Sequence, residues 1–314
     1  MRTRFTSIFI ILALSVISVW GAQDGRIRIL GIGNSFTKNA THYLPAIISS
    51  NPDIEADVAV AGIGGSSLAL HVGLAEAHEA DPEAGKRYEY LYNTELRANE
   101  VALKEILQSE RWDFVTIQQH SQKSYKPKTY RPHAKQLVDY VKQYAPTAQI
   151  VIHETWSHSI DSYRFTKKGL APEDMYERLH AAYAEIAAEL SISVIPVGTA
   201  FELAKATPMW DYPPTNVDTD LLSFPKDRDN LPDMSRSLHK NFFWKPAKKP
   251  GGYRVVNDGY HANANGEYLG GLVWYRFFFG ADPREVSYKP DGMSVEQAIS
   301  LREIAFEVIP TKTD

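Results

Sequence analysis

The sequence predicts an α/β protein: a three-layer α/β/α sandwich around a central, mostly parallel, five-stranded sheet. Three observations carry this expectation. Five short runs dense in Val, Ile and Leu recur along the chain, stretches of helical period separate them, and no internal repeat or low-complexity tract interrupts the alternation. Strands covered by helices on both faces read as near-continuous apolar runs, and strands alternating with helices mark a parallel sheet.

The strand candidates are 26–32, 57–61, 113–118, 149–153 and 193–197. Between them, Ala134, Leu137, Val141 and Tyr144 recur at helical spacing, as do Met175, Leu179, Tyr183, Ile186 and Leu190. A late helix carries 268–279, and Val295, Ile299, Leu301, Ile304 and Val308 suggest a last one. One stretch breaks the pattern. Residues 207–253 are rich in Pro, Asp, Lys and aromatics without a clean period, and read as an ordered, irregular insertion near the mouth of a site.

Composition narrows the function. A chain of 314 residues with 44% hydrophobic and 23% charged residues is ordinary for a globular protein. A net charge of -4 leaves no electrostatic footprint for nucleic acid. With no cysteine, there is no disulfide, zinc-thiolate site or thiol nucleophile. Arg2 and Arg4 precede a mostly apolar run over 8–20 that ends at Val19-Trp20-Gly21, the layout of a secretory signal peptide. Residues 1–21 are therefore read as a signal and 22–314 as a single domain, exported to the periplasm or the medium with no membrane span after cleavage. Export weakens any reading that needs a soluble cytosolic cofactor.

The stretch Ile29-Leu-Gly-Ile-Gly-Asn-Ser-Phe36 is a strand end running through two glycines to a serine. It is a poor dinucleotide fingerprint, because Phe36 occupies the third glycine position and no acidic residue follows about twenty positions on. The second glycine-rich stretch, 62–67, lacks the lysine of a phosphate-binding loop. His153 and His158 flank Glu154 and Trp156, but a spacing of five at the end of a strand is not a zinc-protease motif, so no metal is expected. Glu154 and Trp156 remain candidates to line a pocket. Nucleophilic catalysis is the third reading. A serine hydroxyl needs an adjacent base held by a third group, and Asp258-Gly-Tyr-His261 offers such a pair, with both side chains on one turn ahead of a helix.

In this combination the chain resembles the SGNH hydrolase superfamily, the GDSL-type esterases and lipases, over roughly residues 26–280. It resembles a divergent member whose first block is Gly33-Asn34-Ser35-Phe36. The resemblance implies the flavodoxin-like SGNH fold and a catalytic triad of Ser35, His261 and Asp258. It also implies an oxyanion hole made by the amides of Ser35 and Gly65 and one side chain after the third strand. The family's asparagine is missing there. Gln122 is the first choice for that donor and Gln119 the alternative. The larger α/β-hydrolase fold is disfavoured, since Gly-x-Ser-x-Gly is absent.

The expected activity is a serine carboxylic ester hydrolase that needs no cofactor and removes an ester, an acetyl group first, from a carbohydrate. Asn34, Glu154, Trp156 and Trp210 are the candidate substrate contacts. A lipid or aryl esterase, or an inactive carbohydrate-binding protein on the same scaffold, are the alternatives. His42, His120, His153 and His158 are given no catalytic role, and the sequence does not fix the oligomeric state.

Overall fold

In the computed structural model, which describes residues 25–163, 165, 170–248 and 250–309, strand β1 (Ile27–Gly33) is the middle of the main sheet. Residues 1–21, expected from the sequence to be a signal peptide, lie outside the described residues. Strand β1 pairs in parallel with β2 (Ala56–Gly62) on one side and β5 (Phe114–Ile117) on the other. Beyond β5 follow β6 (Gln149–His153) and β7 (Ser193–Ile195), both parallel. These are the five runs read from the sequence, with ends shifted by one or two residues.

The sheet has seven strands rather than five. A hairpin of β3 (Tyr88–Tyr92) and β4 (Glu95–Val101) adds antiparallel to β2, giving the order β4-β3-β2-β1-β5-β6-β7. Asn93 and Thr94, both at positive φ, form its two-residue turn. The outer strand is a charged edge, with Glu95, Arg97 and Glu100 in solvent, which suits an edge strand and hides its strand character in the sequence.

Helices cover both faces. Ile29, Val58 and Phe114 face one core with α1 (Ser35–Thr41), α2 (Leu44–Ser49), α8 (Val197–Lys205), α9 (Ala264–Phe279) and α10 (Val295–Glu307). Leu30, Ile32, Val115 and Ile152 face the other. It is closed by α3 (Leu68–Ala80), α4 (Leu103–Ser109), α6 (His133–Tyr144) and α7 (Pro172–Leu190). A short α5 (Ser121–Ser124) follows β5. The two glycines of β1 have a packing reason. A Cβ at Gly31 would lie 2.6 Å from Thr37 Cγ2, and one at Gly33 would overlap Thr37 Oγ1. Their absence lets α1 fold back onto the strand that precedes it.

The 207–253 stretch is not irregular throughout. It ends in β8 (His239–Pro246), which pairs antiparallel with β9 (Tyr253–Ala262) in a separate two-stranded sheet. Asp258 and His261 consequently sit in the last residues of a strand rather than on a turn, still just ahead of a helix, beside a register shift between His239 and Asn241.

Candidate active site

The order in which strands are added reverses about β1: the chain first adds β2 on one side and later β5, also parallel, on the other. Open α/β sheets bind ligands outside the carboxyl ends of the strands at such a point. Ser35 stands there, directly after β1. Asn34 caps α1, its Oδ1 accepting from the Phe36 amide at 2.9 Å while its Nδ2 donates to the Ser66 carbonyl at 2.9 Å. The Ser66 hydroxyl and the Ile63 amide both donate to the Gly33 carbonyl, at 3.1 and 3.0 Å. An asparagine supplies the donor and the acceptor this clamp needs. The clamp fixes Gly65 (φ 66°) beside the serine. The amides of Ser35 and Gly65 have no hydrogen-bond partner among the described residues.

The base arrives from β9. His261 Nε2 lies 2.8 Å from Ser35 Oγ, and its Nδ1 lies 2.8 and 3.0 Å from the two Asp258 oxygens. Asp258 also accepts from the His261 amide at 3.3 Å. Burial pushes the Asp258 carboxyl up, but the hydrogen bonds and charge of His261 outweigh it and hold the group below its ordinary value. With Nδ1–H donated to a carboxylate, the neutral ring turns its Nε2 lone pair to the Ser35 hydroxyl.

Ser35 opens into a cavity of about 150 Å³ bordered by Asn34, Phe36, Gly65, His120, Ser121 and Tyr260, with His261 at its edge. Neither glutamine borders it. Gln119 is fully buried and committed: its Oε1 accepts from the His120 and Leu68 amides at 2.8 and 3.3 Å, and its Nε2 donates to the Thr129 carbonyl at 2.9 Å. Gln122 enters through its backbone, the amide donating to His120 Nδ1 at 3.1 Å. That bond makes Nδ1 an acceptor and puts the proton of the neutral His120 ring on Nε2. Ser121 Oγ meets His158 Nε2 at 3.2 Å, and both residues are buried. The sequence gives His120 no catalytic role and does not single out Ser121 or Tyr260. Their available signal was place, just beyond β5 or next to His261.

Three candidate substrate contacts lie away from the Ser35 cavity. Glu154 is 1% exposed and accepts from the Thr199 amide, the Thr199 hydroxyl and His180 Nδ1 at 2.8, 2.9 and 2.8 Å, tying β6 to α7 and α8. Trp156 is fully buried between Phe36 and Phe201, with centroids 4.4 and 4.6 Å away, and its indole N–H donates to the Tyr260 carbonyl at 2.9 Å. Trp210 is buried and donates to Ser300 Oγ at 3.0 Å. It borders a separate cavity of about 450 Å³ with Lys205 and His239. His153 is fully buried on Trp274, burial bringing its imidazole down to about 3. Burial, then the charge of Lys240, lowers His42. Among the described residues, no group of three His, Asp or Glu side chains could hold a metal ion, and no helix is long and apolar enough to cross a membrane.

The class is that of a three-layer, mostly parallel α/β protein with a hydrogen-bonded Ser–His–Asp line at its topological switch point. Residues 28–219 match the family described as Domain of unknown function (DUF4886), and the chain belongs to that family. The crystal structure of a DUF4886 family protein from Bacteroides uniformis ATCC 8492 has the same fold. It is 22% identical over 89% of this chain and 93% of that one, with a TM-score of 0.67. Also similar is a proposed SGNH hydrolase from Slackia heliotrinireducens, 22% identical over 79% of this chain and 97% of that one, with a TM-score of 0.46. A proposed GDSL-like lipase from Parabacteroides merdae ATCC 43184 is 14% identical over 80% of this chain and 94% of that one, with a TM-score of 0.43. No curated protein matches the chain.

Proposed function

We propose that this protein is an exported serine esterase that removes a short acyl group, acetyl first, from a carbohydrate. The observation that carries the reading is the unbroken line from Asp258 through His261 to Ser35, with closest contacts of 2.8 Å. An unpaired serine or an idle histidine, the mark of an inactive binding protein, is not what these distances suggest.

In the proposed reaction His261 Nε2 takes the Ser35 proton as Oγ attacks the ester carbonyl, and Asp258 stabilises the imidazolium that forms. The oxyanion is met by the amides of Ser35 and Gly65, and by His120 Nε2–H in the place first expected for Gln122 or Gln119. Collapse of the tetrahedral intermediate breaks the ester C–O bond, and the imidazolium hands its proton to the leaving alkoxide. Water then attacks the acyl-serine, His261 again taking the proton and returning it to Ser35 Oγ. Removing one oxyanion donor typically costs on the order of 10²–10³ in turnover.

The small cavity supports a short acyl group over a long chain. The hydroxyls and imidazole around it (Ser121, Tyr260, His120) support a hydroxylated leaving group over a lipid or aryl one. Export rests on the basic and apolar pattern of residues 1–21. Hydrolysis of 4-nitrophenyl acetate by the mature protein and by Ser35→Ala tests the reading, with acetate release from acetylated polysaccharides as the second arm. Turnover by the mature protein that vanishes in Ser35→Ala is expected; equal rates would remove Ser35 as the nucleophile.

A further inference from the structure

We propose that Asn39 is a positioning residue that braces the helix carrying the nucleophile against the strand carrying the base, and that Glu267 anchors this brace. The inference rests on the esterase reading for its kinetic consequence, but its geometry is independent of it.

Asn39 lies one helical turn beyond Ser35 on α1 and uses both ends of its amide. Its Oδ1 accepts from the Ala262 amide at 3.3 Å, immediately after His261 in the chain. Its Nδ2 donates to Glu267 Oε1 at 2.5 Å, on the first turn of α9. One side chain thus joins α1, which carries Ser35, to β9, which carries His261, and to α9. Helix α9 is pressed onto α1 at the same place: a Cβ on Gly270 would stand 2.9 Å from Ala40 Cα. The base belongs to the small β8–β9 sheet and the nucleophile follows a strand of the main one, so their 2.8 Å separation depends on contacts of this kind.

The anchor is sensitive to pH. Burial lifts the Glu267 carboxyl to about 7, against the opposing pull of the Lys240 charge and the Asn39 hydrogen bond. Lys240 faces it from β8, and Tyr43, at the start of α2, feels its charge. Asp258 on β9 and His42 after α1 share the field of the same lysine. As pH rises through neutrality Glu267 gains its charge, and a hydrogen bond to a charged acceptor is roughly twice as strong as one to a neutral acceptor.

The test measures kcat and KM for 4-nitrophenyl acetate, from pH 6 to pH 8.5, in the mature protein, Ser35→Ala, Asn39→Ala and Glu267→Gln. Misplacing reacting groups by about 1 Å can cost on the order of 10² in rate. Asn39→Ala should therefore lower kcat by about 10-fold or more, with KM moving less than about threefold. The ratio of wild-type to Glu267→Gln turnover should grow severalfold from pH 6 to pH 8.5, because the amide accepts the same bond without gaining charge. An unchanged kcat in a folded Asn39→Ala, or a flat ratio, overturns the proposal. If Asn39→Ala does not fold, the Glu267→Gln ratio decides alone. Turnover that survives Ser35→Ala would instead defeat the esterase reading. The brace is then judged by the downfield Nδ1 proton of His261 in NMR spectra of the Ser35→Ala background. Glu267→Gln should shift or broaden that signal above pH 7, and an identical signal with and without the substitution would overturn the brace.

Discussion

Replacing Glu154 by glutamine separates a structural carboxylate from a substrate contact. The side chain is 1% exposed and accepts three hydrogen bonds, two from Thr199 in the first turn of α8 and one from His180 on α7. Hydrogen bonds to charged groups contribute roughly 1.5–3 kcal/mol each. Glu154→Gln can keep its oxygen on Thr199 and donate from its NH₂ to a neutral His180 ring, so all three bonds to a charged carboxylate are replaced by weaker neutral ones. We expect a loss of about 2–4 kcal/mol in urea unfolding at pH 6, with the surviving folded fraction hydrolysing ester at close to the wild-type rate per molecule. The hydrogen bond and charge of Glu154 raise the pKa of His180 against its partial burial. For a histidine raised on folding, the added stability is complete below its unfolded pKa and is lost as pH rises through its folded one. The wild-type advantage over Glu154→Gln should therefore narrow from pH 6 to pH 8.5, by a small amount because His180 is partly exposed to solvent. A gap below about 1 kcal/mol at pH 6, or a turnover defect larger than the loss of folded protein, would refute this account.

Asp258→Asn, which forces the wrong His261 tautomer without emptying the site, should lower kcat by about 10⁴ with little change in KM, read by steady-state ester hydrolysis. Trp156→Ala should cost about 3–5 kcal/mol in urea unfolding, since it empties the slot between Phe36 and Phe201. Glu267→Gln should stabilise the protein at pH 8 relative to pH 4. The folded carboxyl titrates near 7 rather than 4.5, so wild-type stability is complete below about 4.5 and falls as pH rises through about 7. The difference is at most about 3 kcal/mol by linkage and about 1–2 after solvent screening, measured by paired denaturation curves.

The parallel core was legible because its strands are buried on both faces and carry no period that a helix could imitate. The outer hairpin was not, since β4 shows solvent Glu95, Arg97, Asn99 and Glu100 beside a single apolar Leu96, a composition that a polar loop shares. Strand β8 escaped for a different reason: the bulge at Asn241 breaks its alternation within a stretch already crowded with Pro and Asp. At the site, spacing picked out Asp258 and His261 as a pair for the strand-end Ser35, and the three lie in hydrogen-bond contact. It failed at residues 118–122, where the choice depends on which side chain the turn after β5 leaves facing the cavity. Gln119 is turned inward by the amides it must satisfy, and Gln122 contributes its backbone to orient His120. Glu154 and Trp156 were read as functional by residue type. Burial is what distinguishes a carboxylate that binds substrate from one that closes a helix terminus, and burial is not written in a pentapeptide.

The arrangement places the two halves of the reaction on supports of different kinds. Ser35 is mounted on the central strand of the main sheet, where Gly31 and Gly33 let α1 pack without slack. His261 hangs on a two-stranded ribbon with no strand pairing to that sheet, and its position is set from behind. The Trp156 indole donates to the Tyr260 carbonyl, the Ser159 amide donates to the Gly259 carbonyl at 2.7 Å, and Asn39 holds the Ala262 amide. These bonds grip β9 on both sides of the histidine. Trp156 also stacks on Phe36, the neighbour of the nucleophile, so one indole touches residues adjacent to both reacting groups. Substitutions that change the Ser35–His261 geometry should therefore concentrate in residues 156–162, in α1 beyond Phe36 and in α9, behind the cavity rather than in its wall. Changes to His120, Ser121 or Tyr260 should instead alter charge stabilisation and fit while leaving that 2.8 Å contact in place.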